Sequence, residues 1–303
     1  MKRPSLRKRT GKMTFSELYG ALSEKLVPAV GYTEEAKAEA REILRYCYKE
    51  DFSSLMLREL SEKGTVDTDG DIIDRAFQMA EEILGGRPVS YVTGVRNFMG
   101  YDMKVDERVL IPRSETELLC EEAIGLIKKT GAENVLDLCT GSGCIAVLLA
   151  LKTDAAITAS DISPDALEVA RNNASLNGAK VRFIESDLFA RLDGRFDIIV
   201  SNPPYIDDNA YSELDPRVRK HEPALALKGG DDGLKFYRKI ISEAKTFLNP
   251  GGYLLLEIGY DQKEAVEGLM RQYDYTDIRS YKDYSGNDRI VMARRPDGDA
   301  EKA

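Results

Sequence analysis

The feature that most constrains this chain begins at about residue 113, where short apolar runs alternate with amphipathic stretches. The runs are "NVLDL" (134–138), "AITASD" (156–161), "VRFIES" (181–186), "FDIIVS" (196–201) and "YLLLEI" (253–258). Between them lie "GCIAVLLALK", "SPDALEVARNNASLNG" and "DGLKFYRKIISEAKTFL", which carry helical spacing. Strands joined through helices run parallel, so the expected fold class is α/β, a mostly parallel sheet with helices on both faces. "TDIRSY" and "RIVMARR" lie close enough together to form an antiparallel hairpin at one edge.

Residues 14–86 have a different pattern. Thr14 and Glu17 fit a capping box before "FSELYGALSEKL", and Thr33 starts "EEAKAEAREILRYCY". "FSSLMLREL" and "DIIDRAFQMAEEILGG" follow, the latter stopping at paired glycines. This is a small helical domain, for recognition or as a structural cap. From Arg87, "PVSYVTGVRNFMGYDMKVD" is rich in β-branched and aromatic residues and reads as a β-hairpin linker. The expected division is a basic flexible tail (1–13), the helical domain (14–86), the linker (87–112), the α/β domain (113–293) and a flexible C-terminal tail (294–303).

The 303 residues are 43% hydrophobic and 31% charged, an ordinary globular balance with no apolar run near the ~18 residues that span a bilayer. "MKRPSLRKRTGK" is basic, yet no apolar stretch follows it, so a secretory signal is not expected. Six of those twelve residues are Lys or Arg, which leaves the remainder at −15 within a net −9. An acidic body argues against a nucleic-acid surface and suits a basic protein partner. The four cysteines form no CxxC pair and there is one histidine, so neither a metal site nor a Cys–His nucleophile is expected. Reduced thiols and a cytoplasmic location fit best.

"VLDLCTGSGCIAV" runs from a strand through a small-residue loop into a helix. Ligands of open α/β sheets bind outside the carboxyl ends of the strands, where Gly141 and Gly143 let backbone approach closely and Ser142 can start the helix. The next strand ends at Asp161, about twenty residues after the glycines, where a carboxylate can accept both hydroxyls of a ribose. The third ends "IESDLF", placing Asp187 to accept from an adenine amino group and Leu188 against its ring. NAD, ATP and S-adenosylmethionine all suit such a rim, although no G-x-x-x-x-G-K-[ST] loop is present.

The fourth strand runs into "SNPPYID". Neither Pro203 nor Pro204 can donate a backbone N–H, so the strand must end there in a stiff corner. An amide or adenine amino nitrogen is a poor nucleophile, because its lone pair is delocalised. Methylating it requires acceptors that hold its hydrogens and aim the lone pair. Asn202 and the backbone at Pro203 offer two, the prolines arrange them beforehand, and Tyr205 can cover the flat substrate group.

"SNPPYI" after "DLCTGSGC", with "RPVSYVTG", "FMGYDMKVDERVLIPRSETELL", "HEPALAL", "GGDDGLKFYRKII", "GGYLLLEIG" and "DYSGNDRIV", resembles the protein-(glutamine) methyltransferases of peptide chain release factors. The resemblance runs from about residue 87 to 292. It implies a Rossmann-like class I methyltransferase domain with a seven-stranded sheet, preceded by a helical substrate-recognition domain and a β-hairpin linker. It implies transfer of a methyl group from S-adenosyl-L-methionine to the Gln of a release factor's Gly-Gly-Gln motif, leaving S-adenosyl-L-homocysteine. By position, Asn202, Pro203, Pro204 and Tyr205 would hold the glutamine. Cys139, Thr140, Gly141, Ser142, Gly143, Asp161, Leu188 and Asn202 would hold the cofactor, with Asp187 by adjacency. Class I release factors are the expected partners and a monomer the expected state, with no metal, membrane or nucleic acid.

Two positions depart from the family pattern. Cys139 stands where the family's loop has its first glycine, and Ser114 replaces a proline in "IPRSETE". Glu117 is expected to tie the linker down, while Arg113 is open. Glu222-Pro223 are expected to shape a channel floor, His221 to have no catalytic role, and Tyr281 and Tyr284 to pack at an edge strand. The competing functions are a nucleic-acid adenine methyltransferase and a non-catalytic S-adenosylmethionine binder or assembly factor.

Overall fold

The computed structural model describes residues 13–61, 66 and 68–298. Most of both expected tails, 1–12 and 299–303, therefore lies outside the described residues. The chain divides into two compact units, Met1–Gly94 and Val95–Ala303.

The first unit is helical: α1 (Phe15–Val30), α2 (Thr33–Tyr48), α3 (Phe52–Leu60), α4 (Gly70–Leu84) and α5 (Val89–Thr93). The capping box forms, with Thr14 Oγ1 accepting from Glu17 N at 3.1 Å and the Glu17 carboxylate accepting from Thr14 N at 2.8 Å. Asp51 and Asp69 cap α3 and α4 with side-chain carboxylates that accept from backbone N–H groups, without the reciprocal bond. The α2 cap is Tyr32, one residue ahead of the expected Thr33, and it supplies no side-chain bond. Phe15, Leu18, Leu22 and Leu26 recur at helical spacing and are all buried in the core of this unit.

Here the structure corrects the expected boundary. Residues 89–93 are helical rather than part of a hairpin, and the first unit extends through Gly94 instead of stopping at 86. Val89 and Val92 pack against the helical core, and that burial outweighs their β preference. The hairpin is correspondingly short, β1 (Val95–Phe98) against β2 (Tyr101–Lys104). Met99 and Gly100 turn it with φ of 47° and 85°, the left-handed pair that a two-residue hairpin turn needs.

The second unit carries a seven-stranded sheet in the order β5-β4-β3-β6-β9-β11-β10. Its strands are β3 (Asn134–Leu138), β4 (Ala156–Asp161), β5 (Val181–Glu185), β6 (Phe196–Ser201), β9 (Leu248–Glu257), β10 (Thr276–Lys282) and β11 (Asp288–Arg294). The first five in that order are parallel, and β11 and β10 form the antiparallel edge. A small parallel pair, β7 (Ile206–Asp207) and β8 (Lys228–Gly230), stands apart. The helices are α6 (Ser114–Thr130), α7 (Cys144–Lys152), α8 (Pro164–Asn177), α9 (Asp208–Glu213), α10 (Pro216–His221), α11 (Ala224–Leu227), α12 (Lys235–Phe247) and α13 (Lys263–Gln272).

Strand residues alternate between two cores. Val135, Ile198 and Val200 face one, with α6 and α7, while Leu136, Leu138 and Ile199 face the other, with α12 and α13. β9 starts five residues before the expected 253, because Leu248 pairs with Phe196 across a register shift. The expected C-terminal tail is tied down at its start: Arg295 N donates to Gly252 O at 2.8 Å, and Gly251 N donates to Arg295 O at 3.1 Å. The chain runs outward from β3 through β4 to β5, then returns to β6 on the opposite side of β3. That reversal opens a crevice at the carboxyl ends of these strands.

Candidate active site

A cavity of about 300 Å³ lies at this crevice, within the range of small-ligand sites. Cys139, Thr140, Gly141, Ser142, Asp161, Asp187, Leu188, Asn202 and Pro204 line it. Gly143, Pro203 and Tyr205 lie outside that lining. Gly143 turns the loop into α7 with φ 80°, and a Cβ there would meet Ala170 Cβ at 2.9 Å, so its role is close helix packing. Pro203 is buried, and Tyr205 packs partly buried against the α12-side core.

Backbone bonds set the shape of the loop after β3. Gly141 N donates to Asp161 Oδ2 and Ser163 N to Asp161 Oδ1, both at 2.9 Å. Each carboxylate oxygen keeps a further lone pair for a ligand. Burial raises the Asp161 carboxyl above its usual range, and the N–H donors from Ser163 and Gly141 oppose it. Ser142 does not cap α7 as expected; the cap position is Gly143, with no side-chain bond. Asp137 serves the helix start instead, accepting from Ala146 N at 3.1 Å and from Thr140 Oγ1 at 2.5 Å. Asp137 is fully buried, and burial lifts its carboxyl to about 7.

Cys139 has φ 63° and Leu188 φ 48°, both in the left-handed region that costs an ordinary residue about 1–2 kcal/mol. This is the physical content of a cysteine at a glycine position. Cys139→Gly is expected to exchange strain relief for lost packing, leaving Tm within about 3 °C and cofactor affinity unchanged or tighter. Cys139→Val, β-branched at positive φ, is expected to cost more than about 2 kcal/mol and to weaken the cofactor. Thermal melts and calorimetric titration of both variants check the pair.

At the opposite wall, Ser201 Oγ bonds Leu138 O at 2.6 Å and locks the ends of β6 and β3 together. Asn202 Nδ2 donates to Thr116 Oγ1 at 3.2 Å, which leaves its Oδ1 available as an acceptor. Glu257, at the end of β9, is 1% exposed, and burial raises it to about 7 against hydrogen bonding from Thr116 and the pull of Arg289. The Tyr205 phenol is pushed up to about 12, by burial first and then by the Glu257 charge.

The double-proline corner is gripped from outside by glycines. Gln262 Nε2 donates to Tyr205 O at 2.9 Å. A Cβ on Gly229 would lie 2.8 Å from Tyr205 C, and one on Gly233 would strike Tyr205 O. The sequence motif "GGDDG" carries this glycine pair, but only the fold shows what it touches.

The loop before α6 meets the loop after α10. Arg113 Nη2 pairs with Glu222 Oε1 at 2.6 Å, and Ile111 N donates to Glu222 Oε2 at 3.3 Å. Pro223, Leu225 and Ala226 beyond them line the cavity, as Arg113 does. Glu117 accepts from the hairpin residue Met99 N at 3.4 Å. His221 lies outside the cavity lining, and the exposed Tyr284 bonds Glu121. Thr116, Asp137 and Glu257 were not singled out as site residues from the sequence. A charged residue closing the apolar run "YLLLEI" was the only hint of the last.

Asp137 and Glu257 give a stability prediction. Both folded-state values, about 7, lie above the unfolded carboxyl range. The fold then retains protons that the unfolded chain releases, and stability falls as pH rises from about 4 to 7. Calorimetry on the cofactor-free chain is expected to give a lower Tm at pH 7.5 than at pH 5.5. A higher one would contradict the assignment.

The Methyltransferase small domain family matches residues 116–218. A release factor glutamine methyltransferase of Geobacter sulfurreducens is 45% identical over 209 residues, 68% of this chain and 73% of that protein. One from Neisseria gonorrhoeae is 39% identical over 269 residues, 88% of this chain and 96% of that protein. Among solved structures, the hMettl16 catalytic domain in complex with MAT2A 3'UTR hairpin 6 matches with TM-score 0.53 at 15% identity. It covers 70% of this chain and 81% of its own, a likeness of fold alone.

Proposed function

This chain belongs to the release factor glutamine methyltransferase family, and from that premise we propose that it methylates the side-chain amide nitrogen of the glutamine in a release factor's Gly-Gly-Gln motif. S-adenosyl-L-methionine is the donor, and class I release factors in the cytoplasm are the substrates. Among the described residues no helix is long and apolar enough to cross a membrane. The observation that carries this reading is the meeting, around one cavity, of the Asp161-braced glycine loop and the Asn202–Pro204 corner.

The cavity fits the donor chemically. Asp161 presents carboxylate oxygens to ribose hydroxyls, Gly141 and Ser142 bring bare backbone to the wall, and Leu188 offers an apolar surface to adenine. The bound donor supplies an electrophilic methyl group on a sulfonium. Asn202 Oδ1 and the Pro203 carbonyl accept the two hydrogens of the glutamine NH2, which holds the nitrogen lone pair toward that methyl. With φ locked by the prolines, these acceptors need no rearrangement when substrate arrives. The methylated nitrogen sheds its extra proton to water or to the same acceptors, so no strong base is required. Tyr205 bounds the corner, and the helical unit is assigned to recognition of the release factor body.

The test is incubation with methyl-labelled S-adenosyl-L-methionine and release factor, a Gln→Ala release factor, free glutamine or DNA. Label is expected in the intact release factor alone. Label in DNA would support an adenine methyltransferase instead, and cofactor binding with no transfer to any substrate would support a silent binder.

A further inference from the structure

The task assigned to Asn202 requires its amide oxygen, not its NH2, to face the substrate nitrogen. The two ends of an amide are nearly the same size, so packing alone does not choose between them. The choice must come from hydrogen-bond polarity.

β6 and β9 are parallel with Ser201 opposite Leu256, so the next residues, Asn202 just past β6 and Glu257 at the last position of β9, lie side by side. α6 packs against β9 and brings Thr116, 3% exposed, to both. Asn202 Nδ2 lies 3.2 Å from Thr116 Oγ1. Glu257 is buried, and its Oε2 has no hydrogen-bond partner among the described residues. A carboxylate only accepts, and the Thr116 hydroxyl has one hydrogen to give. Turned toward the unsatisfied Glu257 carboxylate, whose charged form Thr116 and Asn202 both favour, that hydrogen leaves Thr116 able only to accept from Asn202, and Asn202 then turns its NH2 away from the cavity.

The geometry points to Glu257 as a positioning residue for methyl transfer, its carboxylate setting the polarity of an Asn202–Thr116 chain so that Asn202 Oδ1 faces the substrate amide. This rests on the substrate reading above. A protonated Glu257 can donate, and the order of the chain is then lost. The charged and titratable groups around it are Arg289 on β11, Glu115, Cys120 on α6, Cys144 on α7, Tyr205, and Tyr237 on α12, whose hydroxyl donates to Glu257 O. Burial places the Glu257 transition at about 7, so kcat rises as pH passes upward through that value. Asp137 titrates in the same range beneath the cofactor loop, and saturating cofactor separates the two.

The experiment compares wild type, Glu257→Gln, Thr116→Val, Thr116→Ser and the double variant Glu257→Gln with Thr116→Val on a release-factor substrate between about pH 5.5 and 8.5, with cofactor affinity by calorimetry. Glu257→Gln and Thr116→Val are each expected to lower kcat roughly tenfold at alkaline pH, with cofactor Kd within about threefold and a flattened acid limb. Thr116→Ser recovers most of the rate that Thr116→Val loses, and the double variant is no slower than either single one. Wild-type kcat and pH profile in Glu257→Gln, or additive losses in the double variant, overturn the inference. If Glu257→Gln does not fold, Thr116→Val decides, and an undiminished rate there overturns it. Wild-type enzyme that does not label release factor removes the premise and this inference with it, whereas active wild type with an unimpaired Glu257→Gln removes the inference alone.

Discussion

Asn202→Ala is expected to lower kcat by about 10²- to 10³-fold, the scale set by removing one preorganised polar partner from a reacting group. Asn202 leaves β6 where Ser201 is pinned to Leu138 O, and Thr116 holds its NH2. Alanine keeps the backbone corner, because Pro203 and Pro204 still fix φ there. The cofactor wall loses only one of its side chains, so cofactor Kd should change by less than about tenfold. Single-turnover transfer and calorimetric titration separate the two effects. Unchanged turnover would remove Asn202 from the chemistry, and an equal loss of affinity and rate would make it a cofactor residue instead.

Asp161→Ala is expected to raise cofactor Kd by about 10²-fold, near 3 kcal/mol, while kcat at saturating cofactor stays within a few-fold. Two losses add. The ribose acceptors disappear, and the backbone N–H groups of Gly141 and Ser163, each 2.9 Å from a carboxylate oxygen, lose their acceptor. Asp161→Asn keeps one acceptor oxygen and should fall between alanine and wild type. Because burial raises the Asp161 carboxyl, acidification should weaken cofactor binding earlier than for an exposed aspartate. Wild-type affinity in Asp161→Ala would reject the ribose assignment.

Much of the fold was legible from local pattern. The runs at 134–138, 156–161 and 196–201 end where β3, β4 and β6 end, since buried parallel strands read as continuous apolar segments. The helical cap at Thr14 was legible because a capping box is a contact between residues three apart. The stretch 87–94 misled because its valines favour a strand in isolation, and helical packing reversed that preference.

The candidate site divides in the same way. Residues of the loop at 139–142, Asp161, Leu188, Asn202 and Pro204 could be named from strand-end position, and one cavity collects them. Thr116 and Glu257 could not, because Thr116 meets Asn202 86 positions away and the surroundings of Glu257 come from Thr116 and Arg289 on other elements. By itself the sequence determined which residues stand at the carboxyl ends of the strands and where the backbone is stiff or free, since periodicity, proline and glycine act over a few residues. The tertiary structure alone decided which side chains are buried together, which glycines support Tyr205, and which carboxyls are lifted toward neutrality. Those properties belong to the environment that distant segments create, and desolvation and hydrogen-bond polarity have no local signature.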